Sequence, residues 1–235
     1  MRIATAALAA AACLAVVGPP PAAEPAAAPR FAPGTTPADI TVCVHPLGKV
    51  DAQVTRAVAR GITAAYGFRA RVVPGLPLPR VAYYRPRHRY RADQLLEVLV
   101  ADVVPASGCE IVLGVTAVDI SVRTETHADW GILGLAYLDS HVAVISTFRA
   151  GRKVSRTRML QRTVKTATHE LGHALGLPHD DSVAGCMMND AHGTVVAIDA
   201  ETGAPCPHER AALDARLGLT LPVVSALDWS VVLAP

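Results

Sequence analysis

From residue 40 onward the chain alternates short apolar runs with longer stretches whose apolar positions recur at helical spacing. Residues 40–44 form a compact apolar run of the buried-strand type. Asp51 is placed to cap a helix reaching about Tyr66, with Val54, Val58, Ile62 and Ala65 on one stripe and Gly67 ending it. Residues 69–73 read as a second strand, followed by a loop broken by Pro74, Pro77 and Pro79. Leu95, Leu96, Leu99 and Val103 give residues 92–103 one inward face of a helix, and residues 110–118 read as a central strand. Residues 130–137 and 141–147 read as two strands joined by a turn at Asp139 and Ser140. A long helix is expected over 158–175 and a shorter one, opened by Pro207, over 207–217. The apolar tail, 220–235, is interrupted by Pro222 and Asp228, so it is expected to pack on the domain rather than span a membrane. This order of strands and helices predicts an α/β fold built on a mainly parallel, twisted sheet.

The first 39 residues follow a different pattern. Residues 1–18 carry one early cation, Arg2, and then a run that is apolar except for Thr5, the layout of a secretory signal. Ala10-Ala11-Ala12-Cys13 is a weak lipid-attachment sequence, so anchoring through Cys13 is the lesser alternative to cleavage after about Gly18 and release. Residues 19–38 are rich in Pro and Ala and read as a mobile linker. The rest, 39–235, is long enough for one domain, divided after His179 into an N-terminal part, 39–179, and a smaller C-terminal part, 180–235. A net charge of +2 and 4% aromatic residues give no reason to expect a nucleic-acid partner. No nucleotide, flavin or phosphate-binding loop is present, and a monomer without stable membrane insertion is expected.

The chemistry concentrates in one stretch, His169-Glu170-Leu171-Gly172-His173-Ala174-Leu175-Gly176-Leu177-Pro178-His179, which reads H-E-x-x-H-x-x-G-x-x-H. Histidines four apart on a helix lie on one face, so the imidazoles of His169 and His173 reach one ion. Gly176 permits the positive φ that stops the helix, and Pro178 stiffens the turn that delivers His179 as a third ligand. Three protein ligands leave a fourth position for water, the arrangement of a catalytic zinc. Glu170, held beside the ion without ligating it, is the expected general base and then acid. His45, His88, His127 and His141 lack ligand spacing and are expected at the surface or hydrogen-bonded. Arg85, Arg87, His88, Arg89 and Arg91 form the densest charge run, expected as a solvated loop, with an anion contact as the alternative.

The motif is that of the metzincin zinc peptidases, and the chain resembles the archaemetzincins among them. The resemblance extends to Pro46-Leu47-Gly48, Leu113-Gly114-Val115-Thr116 with Asp119, Gly134-Leu135-Ala136 and Val144-Ile145-Ser146, and covers about residues 40–217. It implies a metzincin-like fold with an antiparallel edge strand above an active-site helix and a small C-terminal subdomain. It implies that Met188, after Cys186-Met187, is the methionine of the tight turn beneath the metal. It also implies that Gly131, Ile132, Leu133, Gly134, Leu135 and Ala136 form an edge strand that holds a peptide by strand addition, with Gly131 and Gly134 admitting its backbone closely. Many metzincins follow the turn with a tyrosine that steadies the oxyanion; none follows here, and Asn189 or His192 are the candidates.

Archaemetzincins typically bind a second, structural zinc with four cysteines. Here Asp180 and Glu209 stand at two of those positions and only Cys186 and Cys206 remain, which excludes the four-cysteine site. A Cys186–Cys206 disulfide is the favoured replacement, with a mixed site of Asp180, Cys186, Cys206 and His208 as the alternative. Cys43 and Cys109, on strands that the family places in one sheet, would then form a second disulfide. The expectation is a secreted metallopeptidase with one catalytic zinc, acting on peptide or protein substrates as an endopeptidase or an aminopeptidase-like hydrolase. A zinc-binding surface interaction protein with little proteolysis and a zinc hydrolase of non-peptide amides are the alternatives.

Overall fold

A computed structural model describes residues 30–191 and 194–234 of the chain. The expected signal, Cys13, the linker up to residue 29, and His192 lie outside the described residues.

The elements run β1 (Thr41–Leu47), α1 (Ala52–Tyr66), β2 (Arg69–Val72), β3 (Tyr83–Tyr84), β4 (Arg89–Arg91), α2 (Ala92–Val98), α3 (Val104–Ser107), β5 (Ile111–Thr116), β6 (Ile120–Val122), β7 (Trp130–Ile132), β8 (Gly134–Ala136) and β9 (Val142–Ser146). They continue with α4 (Thr147–Ala150), α5 (Arg156–Ala174), α6 (Val195–Ala200), α7 (Pro207–Leu217) and α8 (Trp229–Val232). Five strands form the main sheet in the order β2-β1-β5-β9-β8, all parallel except β8, which runs antiparallel to β9 at the edge. A second sheet, β3-β4-β6-β7, was not legible in the sequence, because strands of two or three residues carry too little alternation to show a period.

Alternation of side chains sorts the main sheet into two cores. Val42, Val44, Ile111, Leu113, Val115 and Ile145 face α1, α5 and the C-terminal segment, while Leu47, Val112 and Val144 face α2. All six residues of β5 are buried, as the central strand of a sheet covered on both faces requires. Asp51 caps α1 through the Gln53 amide and Gly67 closes it at a φ of 73°. α1 crosses α5 closely at Gly61, where a Cβ would lie 2.3 Å from Val164 Cγ1. The helix after β4 extends beyond Val103: residues 99–103 widen into a π-turn, and α3 follows with Pro105 in its first turn. Pro105 has no N–H to return to the preceding turn and crowds its carbonyl, which accounts for the widening.

Two expectations are corrected. The linker is not free over its last residues: the amides of Arg30 and Phe31 donate to the carbonyls of Arg216 and Leu217, and Phe31 packs on the core. The arginine run is a solvated loop only in its first half: Arg85, Arg87 and His88 are exposed, whereas Arg89 and Arg91 are half-buried. Arg89 pairs with Asp119 at 2.7 Å and Asp129 at 2.9 Å, and Arg87 and Arg91 also reach Asp129. Arg91 lies over the Tyr84 ring, so these cations fasten the second sheet to its neighbouring loop.

Cys43 is bonded to Cys109, and Cys186 to Cys206. The second bridge spans 20 residues, so loop-closure entropy gives it a stabilisation of about 3 kcal/mol. Replacing Cys186 and Cys206 together by Ala is expected to lower the unfolding free energy by about that amount. Urea titration measures it, and an unchanged midpoint would contradict the expectation. Among the described residues no helix is long and apolar enough to cross a membrane.

Candidate active site

α5 begins on a Ser155 cap and carries His169, Glu170 and His173 in its last two turns. It ends where Gly176 takes a φ of 97° and the Leu177 amide returns to the Gly172 carbonyl. The turn brings His179 back over the helix. His169 Nε2 lies 3.3 Å, and His173 Nε2 3.1 Å, from His179 Nε2.

Backbone carbonyls fix two of these rings. His169 Nδ1 donates to Met187 O and His173 Nδ1 to Leu177 O, each at 2.7 Å. Both rings therefore turn an Nε2 lone pair toward His179, whose Nε2 can donate a proton to only one of them. A cation resolves this convergence, and a set of neutral imidazoles suits zinc. Burial and, second, the neighbouring His173 push His169 down to about 3, and burial likewise lowers His173, so both stay in the ligating form. The structure thus brings the three motif histidines together, and no other group of three histidines occurs among the described residues that could hold a metal. His88, His127 and His141 are hydrogen-bonded to Tyr83, Thr126 and the Glu110 carbonyl, away from this centre. His45 differs from expectation: it is buried in β1.

Glu170 is 8% exposed, and burial pushes its carboxyl up to about 8. It lies against β8. A Cβ on Gly134 would sit 2.5 Å from Glu170 Cγ and 2.6 Å from Oε1. Likewise a Cβ on Gly131 would sit 1.8 Å from the guanidinium of Arg149, which Asp119 holds at 2.8 Å. The two glycines therefore make room for Glu170 and Arg149. Residues 130–137 do not form one strand. The Ser146 amide donates to Leu133 O at 2.7 Å, and at Leu133 the chain passes from β7 in the second sheet to β8 in the main one. β7 and β8 are each the edge strand of their sheet. Gly131, Ile132, Leu133 and Gly134 line the cavity, and further along β8 the Ala136 amide donates to the Glu170 carboxyl.

Met187 and Met188 are fully buried beneath α5. A Cβ on Gly172 would lie 2.4 Å from Met188 Sδ, so this glycine lets the sulfur pack directly under the helix between His169 and His173. Glu209 clasps the turn: one oxygen accepts from the Met188 amide and the other from the Cys206 amide, each at 2.7 Å. Of the other positions considered for a mixed metal site, both cysteine sulfurs are in the disulfide and Asp180 pairs with His208 at 3.2 Å. Asn189 holds the loop through the carbonyls of Asp180 and Val183 and the Gly185 amide, so its side chain is committed there rather than to an oxyanion. Sequence reasoning missed Met187, Leu177 and Glu209. The first two act through backbone carbonyls, which leave no side-chain signature.

A cavity of 560 Å³ opens beside the histidines, with His169, Glu170 and His179 on one wall and α6 on another. Arg162 pairs with Asp199 at 2.7 Å, and Lys165 donates to the carbonyls of Ile198 and Asp199 at 3.0 Å, which ties α6 to α5. Glu201, at the end of α6, also lines the cavity, and burial pushes its carboxyl up to about 8. Carboxyls raised in this way are protonated more readily folded than unfolded. The stability they contribute is full below about 4.5 and is lost as pH rises through about 8. His169 acts in the opposite sense, losing its contribution as pH falls from 6.5 toward 3, so above pH 6.5 only the carboxyls remain. The metal-free protein is therefore expected to lose melting temperature between pH 6.5 and 8, and Glu201→Gln to lose less, as thermal melts across that range will register.

The residues from 52 to 209 match the model of peptidase family M54. The archaemetzincin of Haloarcula marismortui is 31% identical over 173 residues, covering 70% of this chain and 94% of that protein. The crystal structure of the Archaeoglobus fulgidus archaemetzincin complexed with malonate is 25% identical with a TM-score of 0.62, covering 74% of this chain and 99% of that one. That of Methanopyrus kandleri, with a TM-score of 0.65 and 24% identity, covers 76% and 96% and supports the fold. With its metzincin-like α/β fold and its zinc-peptidase motif, the chain belongs to peptidase family M54, the archaemetzincins, a family of zinc metallopeptidases.

Proposed function

We propose that the chain hydrolyses internal peptide bonds, with His169, His173 and His179 holding one zinc ion and Glu170 as general base and then acid. The observation that carries this is the convergence of three Nε2 atoms beside a buried carboxyl, at the unpaired edges of two strands. When bound, zinc supplies Lewis-acid polarisation of the scissile carbonyl and lowers the pKa of water. Glu170 takes the proton from the attacking water and returns it to the leaving amine, and its burial raises its basicity for this task. The cavity-lining backbone of residues 131–134, where two edge strands meet, offers an extended peptide a place to pair, which favours endopeptidase over aminopeptidase-like action. Met188 is a floor for the metal-bearing helix and takes no chemical part. Residues 1–18 and the two disulfides suit action outside the cytosol as a secreted protein.

Incubating the zinc-loaded protein with a diverse peptide mixture and reading the cuts by mass spectrometry tests the proposal. Internal cuts are expected, and these should vanish with Glu170→Ala. If neither protein cuts while both hold zinc, the peptidase reading gives way to a zinc-binding interaction protein or a hydrolase of other amides.

A further inference from the structure

Arg149 reaches the cavity beside the histidines from α4, and its guanidinium lies against the backbone of Gly131. Its Nε and Nη2 donate to the two oxygens of Asp119 at 2.8 and 3.2 Å, which fixes the plane of the group. Nη1 has no partner among the described residues and is open to solvent. With Asp119 on the Nε–Nη2 edge, both hydrogens of Nη1 and one of Nη2 stay unused. They belong to a side chain that is 22% exposed and lines the cavity. Arg162, on another wall, differs. Its Nε and Nη2 hold Asp199 and its Nη1 donates to the Ala150 carbonyl at 3.4 Å, so every nitrogen is committed.

Charge points the same way. Asp119 also accepts from Arg89 at 2.7 Å, while Arg87, Arg89 and Arg91 share Asp129. Four guanidiniums in this network, with Arg149, therefore meet two carboxylates, and positive charge is left over. Arg152, whose amide donates to the Arg149 carbonyl, lines the same cavity, and its exposed side chain has no partner among the described residues. The carboxyls in the lining do not neutralise this end. Glu170 lies against Gly134 rather than Gly131, Asp190 Oδ2 is 3.8 Å from His179 Nδ1, and both Glu201 oxygens are buried. Trp130, Ile132 and Ile198 supply apolar wall, which strengthens the pull of an unneutralised cation on an anion. Gly131 and Gly134 are three residues apart, so Arg149 and the general base lie against backbone positions at most about 11 Å apart. A peptide lying along this backbone with its scissile bond at Glu170 brings a residue one or two places away to Arg149.

Resting on the peptidase reading, we propose that Arg149 is a specificity-determining residue of this site, receiving through Nη1 the side-chain carboxylate of an Asp or Glu within two residues of the scissile bond. Asp119 holds the guanidinium still, so the incoming carboxylate meets donors already in place and less ordering is lost on binding. A glutamine of the same shape brings no charge and loses the charge-assisted hydrogen bond.

Peptides capped at both ends and carrying one Glu would be compared with their Gln counterparts, the residue being moved through the two positions on each side of the cut. At one position the ratio of kcat/KM values, Glu to Gln, is expected to be about 30 in the parent and to fall toward one in Arg149→Gln, where Arg89 still holds Asp119. Arg149→Lys, which keeps the charge without the fixed fork, is expected to give an intermediate ratio. A ratio near one at every position in the parent, or one that survives Arg149→Gln, overturns the proposal, while cleavage itself keeps the peptidase reading. A Gln peptide with a free C-terminus distinguishes the source of the carboxylate: a preference for it that equals the preference for Glu assigns Arg149 to a chain end and overturns the side-chain reading. A second arm does not need turnover. Zinc-loaded Glu170→Gln would be titrated calorimetrically with the same capped peptides at low and high salt. Affinity at least tenfold higher for Glu, by a margin that salt erodes, supports the proposal. Equal affinities, or binding of neither, overturn it. If the parent cuts no peptide but the Glu preference in binding persists, the peptidase reading falls and the anion site stands.

Discussion

Glu170→Gln is expected to lower kcat/KM for peptide cleavage by about a thousandfold while zinc content and melting temperature stay near those of the parent. The amide keeps the volume of the carboxyl where Gly134 leaves it room, so packing against β8 survives. It cannot accept a proton from water or return one to the leaving amine, so the loss falls on the chemical step and appears in kcat rather than in KM. The expected effect is large because both proton transfers are assigned to this one carboxyl. Steady-state kinetics with metal analysis of the same samples decides the matter. Loss of zinc in step with activity would instead make Glu170 a residue that holds the site together.

Gly134→Ala is expected to approach that effect from a residue with no chemistry of its own. Its new Cβ would lie 2.5 Å from Glu170 Cγ, whereas carbon atoms rest at about 3.5–4.0 Å, so the carboxyl must move by roughly 1 Å. A displacement of that size at a catalytic base costs about a hundredfold in kcat. The three histidines are held by their own helix, its turn and the carbonyls of Met187 and Leu177, so zinc content is expected to remain. The double variant with Glu170→Gln is expected to lose little beyond Glu170→Gln alone, since both act on one group. Additive losses would mean that Gly134 acts through the strand edge and not through Glu170.

The features legible in the sequence are those with strong local physics. The zinc motif fixes its residues by spacing alone, and Asp51, Gly67, Pro207 and Gly176 mark helix ends by capping and positive φ. The parallel sheet follows from the order of its elements, and the antiparallel edge came with the family resemblance. Three kinds of information were not local. The arginine run gave no sign of its partners, because Asp119 and Asp129 lie tens of residues further along the chain. The break at Leu133 depends on a hydrogen bond from Ser146, so residues 130–137 read as one strand until β9 is in place. Glu201 looks like any surface glutamate until Lys165 is seen to donate elsewhere and leave it buried and unpartnered. Gly131 and Gly134 were noticed, but the groups filling the space above them are on α4 and α5, outside the reach of a strand pattern.

Metal titration tests the central claim most directly. The protein stripped with a chelator and dialysed would receive zinc in steps, with peptide cleavage and bound metal measured at each one. The three-histidine site predicts no cleavage before addition, a rise in proportion to bound zinc, and a plateau at one equivalent per chain that His179→Ala abolishes. Cleavage that persists in the stripped protein, or that is indifferent to His179→Ala, would contradict it.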